Sequence, residues 1–63
     1  MIVSNASKQK LIGTPVTLDG KDAIITGRLM FFPHVKQLDG PLSVEFAWHT
    51  VARIVANGGQ FKS

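Results

Sequence analysis

Two Asp-Gly dipeptides, each preceded by leucine, divide the sequence into short β segments. The first, Asp19-Gly20, follows residues 16–18, where apolar and polar side chains alternate. A type I′ hairpin turn needs positive φ at both central residues, and Asp-Gly supplies this at little cost. We therefore predict a hairpin whose return strand covers residues 23–30, with a bulge or sharp bend at Gly27. Proline cannot donate to a central ladder, so Pro33 ends this segment.

The second dipeptide, Asp39-Gly40, follows a predicted strand over residues 35–38. The clearest strand of the chain is then predicted over residues 42–48. Its alternate residues point the same way on a pleated backbone, and that face is apolar throughout. We assign the face to the core, including Trp48, for which core packing is favoured over base stacking. Its members are Leu42, Val44, Phe46 and Trp48.

After Trp48 the apolar period changes from that of a strand to that of a helix. Val51, Ile54 and Val55 form one helical stripe. We expect His49 or Thr50 to cap the start of the helix. Glycine in the segment 57–59 can end it by taking a left-handed conformation. Phe61 then folds back onto the helix, and a last strand at residues 60–62 is an option.

The beginning of the chain carries no such pattern. Residues 1–13 are mostly polar without sustained periodicity, and we expect a flexible N-terminal tail followed by one domain over residues 14–63. A chain of 63 residues buries only about 60% of its unfolded surface. It contains no cysteine, so only packing or self-association can supplement this small core.

Short bent strands, a glycine kink, tight hairpins and a short helix before the last strand resemble a small SH3-like barrel. The resemblance covers residues 14–63 and lies in the architecture, not in a diagnostic motif. It implies a mainly β fold: a small SH3-like barrel of four or five strands with one short C-terminal helix. By the same analogy, the chain is similar to the small accessory proteins of bacteriophages and mobile elements.

Catalytic chemistry has little support in the sequence. His34 and His49 are the only histidines, and no metal-ligand spacing links them. A general base at His49 assisted by Glu45 would need a cleft that only an oligomer could supply. We therefore expect no enzyme activity, no catalytic residue, no cofactor and no metal site.

A binding surface is easier to predict. Seven basic residues against four acidic ones give a formal net charge of +3, which favours acidic partners such as nucleic acid. On an extended backbone, two adjacent phenylalanines point to opposite faces, so one should be exposed. A basic residue on the helix could contact a phosphate or an acidic patch, or simply keep the surface soluble. The candidate binding surface comprises Arg28, Phe31, Phe32, His34, Lys36 and Arg53.

The sequence favours a small non-enzymatic binding module, with one predicted function and one alternative. The first is a nucleic-acid-binding or nucleic-acid-associated module, motivated by the charge. The second is a protein-interaction module, for example a phage-type inhibitor or adaptor that docks on a host protein, with or without forming a homodimer. A hydrophobic content of 44% against 17% charged residues motivates the second. We find no secretory signal and no membrane-spanning run, and expect a cytoplasmic protein with no membrane partner.

Overall fold

The computed structural model describes residues 2–63, which form five strands and two short helices. The sheet is a single layer that curls into a half-barrel, with strand order β4-β3-β2-β1-β5. The first four strands pair with their neighbours in an antiparallel meander, and β5 adds parallel to β1. The expected mainly β fold is therefore confirmed. The elements are α1 (Asn5–Leu11), β1 (Pro15–Leu18), β2 (Lys21–Thr26), β3 (His34–Gln37), β4 (Ser43–Glu45), α2 (Trp48–Ala56) and β5 (Gln60–Phe61).

The two Asp-Gly dipeptides fold differently. Asp19 and Gly20 have φ of 53° and 81°, and they join β1 to β2 in the two-residue turn that the sequence predicted. Gly40 has no positive φ, and the β3–β4 connection is wider. The physical reason is Pro41, because proline restricts the residue before it to extended conformations.

The core lies between the concave face of the sheet and α2. Its largest fully buried side chains come from four strands and the helix, and they are Leu18, Ile25, Val35, Val51 and Phe61. Three of the four residues predicted on the apolar face of the clearest strand are half-buried and pack against this core, and the fourth, Trp48, is buried. The strand itself is shorter than predicted, because the chain leaves the sheet after Glu45 and Trp48 begins α2.

The return strand of the hairpin is also shorter than predicted. It ends at Thr26, and Gly27 follows with φ of 143°, a value that favours glycine. The amide of Phe31 then donates to the carbonyl of Arg28 at 3.0 Å, which closes a turn. The bend predicted at Gly27 is thus confirmed. The strand ends at this bend, whereas the prediction continued it to residue 30. Residues 28–32 therefore form a loop.

The N-terminal segment contains a helix that the sequence analysis placed in a tail. The Oγ of Ser4 accepts a hydrogen bond from the amide of Ser7 at 3.2 Å, which caps the first turn of α1. Leu11, the last residue of α1, packs against the core. With only seven residues, α1 is too short to show a helical period, and its stability comes from packing. Met1, the first residue of the predicted tail, lies outside the described residues.

Helix α2 follows the predicted stripe but not the predicted cap. Its N-cap is Ala47, which has no capping side chain, so the capping role expected for His49 or Thr50 is wrong. At the other end, the amide of Gly59 donates to the carbonyl of Ile54 at 2.9 Å, and the amide of Gly58 donates to the carbonyl of Val55 at 3.2 Å. These two hydrogen bonds form a Schellman motif. This turn sends the chain back along β1, where β5 forms over Gln60–Phe61, so the last strand that the sequence left as an option is present.

Candidate functional site

The loop between β2 and β3 carries the most exposed cluster of large apolar side chains. We call residues 28–32 the aromatic loop. Met30 is 93% exposed, Phe31 65% and Phe32 58%. The expectation that only one phenylalanine would lie outside is therefore wrong. It assumed an extended backbone, whereas a turn at this point directs both rings away from the core.

A groove of about 400 Å³ lies beside the aromatic loop. One side of the groove is formed by the loop, and the other by the first turn of α2 together with a lysine of α1. Five of its six lining side chains are apolar. They are Leu29, Met30, Phe31, Phe32 and Trp48, with Lys8 as the sixth.

Trp48 fixes the position of the loop. Its side chain is buried, as predicted, and its indole N–H donates to the carbonyl of Phe31 at 2.8 Å. A buried indole N–H normally needs such a partner, and here the partner is the backbone of the loop itself. The first residue of α2 therefore holds the aromatic loop in one arrangement.

Lys8 attaches the loop to α1. Its Nζ donates to the carbonyl of Leu29 at 3.2 Å and lies 5.5 Å from the centre of the Trp48 ring. An ammonium group at this distance is attracted by the electron-rich face of the indole. Lys8 thereby links both sides of the groove, and α1 becomes part of the site.

The six residues predicted as a binding surface do not form one surface. Arg28, Phe31 and Phe32 lie together in the aromatic loop. His34 and Lys36 point to the outer face of the sheet, opposite the buried side chains of β3. Arg53 lies on α2 and lines a second groove, separate from the one beside the loop.

The outer face of the sheet carries both signs of charge. The Nε2 of His34 lies 3.6 Å from a carboxylate oxygen of Glu45 on β4, and both side chains are about half exposed. Lys36, two residues along β3, stands opposite Ser43. The acidic partner beside His34 makes this face a poor continuation of a basic surface.

A second polar cluster lies at the β1–β2 turn, on another side of the molecule. The carboxylate of Asp19 accepts hydrogen bonds from the Ser63 hydroxyl at 2.6 Å and from the Ser63 amide at 2.9 Å. These bonds favour the charged form and lower the pKa of Asp19 below its ordinary value of 3.8. Within residues 2–63, no group of three or more His, Asp or Glu side chains could hold a metal ion.

Sequence reasoning missed four residues of the groove. Leu29 and Met30 belong to a run of large apolar side chains between a glycine and a proline, and this run could have indicated an exposed loop. Trp48 was correctly placed in the interior, but its link to the loop is not visible in the sequence. Lys8 gave no local signal, because its partners are distant in the chain.

Comparison with known proteins adds no family. No family model, curated protein or solved structure matches this chain. Neither helix formed by residues 2–63 is long and apolar enough to span a bilayer.

Proposed function

We propose that this protein is a non-enzymatic binding module that docks on a protein partner through the aromatic loop. The observation that carries the proposal is the exposure of three consecutive large apolar side chains beside a groove with an apolar lining. Exposed apolar surface costs roughly 25 cal/mol per Å² relative to burial, and contiguous patches of this kind mark interaction sites.

The loop is also held ready for binding. The hydrogen bonds from Trp48 and Lys8 fix two of its carbonyls, so little backbone order has to be gained when a partner arrives. Prior ordering of this kind strengthens association, because the entropy of the loop is already lost in the free protein. Exposed aromatic side chains on a fixed backbone are typical anchors of protein interfaces.

The distribution of charge favours a protein over nucleic acid. Base-stacking sites combine exposed aromatic rings with a groove of basic side chains that follows the phosphates. Here Lys36 and Arg53 lie away from the aromatic loop, and Lys8 already donates to a carbonyl. Arg28 is left as the cation of the loop itself. We therefore propose a cytoplasmic adaptor or inhibitor of the bacteriophage type, in keeping with the resemblance to small SH3-like modules.

The test compares two kinds of surface variant. Phe31→Ser combined with Phe32→Ser removes both exposed rings of the loop. Leu38→Ser removes a side chain that is 60% exposed but lies in the β3–β4 connection. Both variants should fold as the unchanged protein does, which circular dichroism verifies.

The unchanged protein and the two variants are each immobilised. The proteins that they capture are identified by mass spectrometry, purified, and titrated against each of the three. We expect the double variant to lose the partner and Leu38→Ser to keep it. Equal capture by all three proteins would show that the aromatic loop is not the docking surface.

Nucleic-acid binding is the second candidate, favoured by the net charge of +3 and by Arg28 next to two exposed rings. Fluorescence titration with single-stranded and duplex oligonucleotides at two salt concentrations tests it. Binding that falls steeply with salt, and weakens in Arg28→Gln, would support this candidate. No binding at low salt would remove it.

A further inference from the structure

We infer that the partner of the aromatic loop is a second copy of this chain, so that two copies associate symmetrically through their aromatic loops. This inference rests on the proposed function and names its partner. Among residues 2–63, five large hydrophobic side chains are exposed, and three of them follow one another in this loop. The apolar surface that a partner must cover is thus concentrated at one place.

The site combines an exposed side chain with a recess. Met30 is 93% exposed although it also lines the groove, whose volume is about 400 Å³. A two-fold symmetric interface uses the same patch on both copies, so each must offer a projection and a recess on one face. The aromatic loop and its groove meet that requirement, with Met30 of one copy entering the groove of the other.

The available area fits a weak dimer. An aromatic side chain buries about 150–250 Å², so the exposed parts of Phe31 and Phe32 amount to roughly 250 Å² per copy. With Met30 and the groove walls, the total over two copies approaches the roughly 1,000 Å² at which a specific interface begins. We therefore expect reversible association at micromolar to millimolar concentration.

Charge gives this dimer a signature that nucleic-acid binding lacks. No acidic side chain lines the groove, and each copy carries a net charge of +3. Two like-charged copies repel each other, and salt shortens the range of that repulsion. Dimerisation should therefore strengthen as salt is added, whereas binding to nucleic acid weakens.

The experiment measures mass against concentration by sedimentation equilibrium, from about 10 µM to about 1 mM, the range expected for a weak interface. The unchanged chain should rise from its monomer mass of 6.8 kDa towards twice that value. Phe31→Ser and, separately, Met30→Ser should weaken association at least tenfold. Leu38→Ser should associate as the unchanged chain does. Emission from Trp48, the one tryptophan of the chain, should shift to shorter wavelength over the same range as the groove loses water.

Two results would overturn the inference: a monomer at every concentration, or a dimer that Phe31→Ser and Met30→Ser leave unchanged. In the first case, the proposed function survives if a different protein binds the unchanged chain and not the Phe31→Ser, Phe32→Ser variant. It fails as well if that protein also binds the double variant. A dimer whose loop variants are monomeric supports the inference, and it supports the proposed function in that the aromatic loop is then a protein-binding surface.

Discussion

The chain contains two pairs of phenylalanines with opposite roles. The half-buried Phe46 packs against the buried Phe61 at the core, and we call these two the interior pair; their ring centroids lie 5.1 Å apart and their ring planes are inclined by 58°. Phe31 and Phe32 are neighbours in the sequence, and both lie more than half exposed in the aromatic loop. Residue type is the same in both pairs, so the difference must come from the backbone that presents the rings.

The interior pair is brought together by the turn after α2. Phe61 becomes buried because the glycines after α2 return the chain to β1, where Phe61 lies opposite Leu18. The exposed pair follows a turn that is fixed from outside, by Trp48 and Lys8. One pair therefore packs in the core, while the other is held in place by the fold and left exposed to solvent.

Removal of one ring from each pair should produce the largest difference between them. Phe61→Ala should lower the free energy of unfolding by about 3–5 kcal/mol, because a fully buried ring leaves a cavity. Phe31→Ala should change it by no more than about 0.5 kcal/mol. Urea denaturation followed by circular dichroism measures both. If Phe61→Ala does not fold, Phe61→Leu should still lose about 1 kcal/mol or more. Equal losses of stability at Phe61 and Phe31 would contradict the assignment of one pair to the interior and the other to the surface.

A second variant asks whether the turn before β5 positions Phe61. Gly59 has φ of 72°, and an added Cβ would lie 3.2 Å from the Cγ1 of Val16. Gly20 is the matched control, with φ of 81° and open space around the added atom. Both alanine variants carry backbone strain, so the additional loss in Gly59→Ala reports the contact with Val16. We expect that difference to be about 1–2 kcal/mol in denaturation experiments. A control variant that is equally destabilised would argue against this contact.

The attachment of the aromatic loop can be tested through Trp48. Trp48→Phe keeps an aromatic ring but removes the N–H that donates to Phe31. We expect a loss of about 0.5–1.5 kcal/mol and faster amide exchange across residues 28–32. Phe31→Ala retains the carbonyl acceptor and should leave exchange in the loop unchanged. Unaltered exchange in Trp48→Phe would show that the indole does not hold the loop.

The smallest effect concerns Asp19, whose amide donates to the carbonyl of Phe61 and so borders the interior pair. The pKa of Asp19 is lowered by its bonds to Ser63, so those bonds favour folding above pH 3.8. The contribution of these bonds to the free energy of unfolding is lost as the pH falls below 3.8 and through the pKa of Asp19 in the folded protein. The Tm difference between the unchanged chain and Asp19→Asn should therefore shrink as the pH is lowered through 3.8 and below. A difference independent of pH would rule out this linkage.

Much of the fold could be predicted because its signals are local. The Asp19-Gly20 turn, the alternation in β1 and the glycines after α2 each act over a few residues, and each formed as expected. The site was predicted in part, since both phenylalanines and Arg28 do lie in the loop. The prediction was wrong where it extended a strand too far, as it did for the return strand past Gly27. Continuous apolar residues look the same in a buried strand and in an exposed loop.

Sequence patterns were sufficient for β1, the type of the first turn and the end of α2, because turn chemistry and apolar period are properties of neighbouring residues. Tertiary structure alone decided that the segment 5–11 becomes a helix, that both rings of the aromatic loop face solvent, and that Trp48 holds that loop. These outcomes depend on contacts between residues far apart in the chain. Lys8 and Leu29 illustrate the reason: their hydrogen bond exists only after α1, the loop and α2 have met.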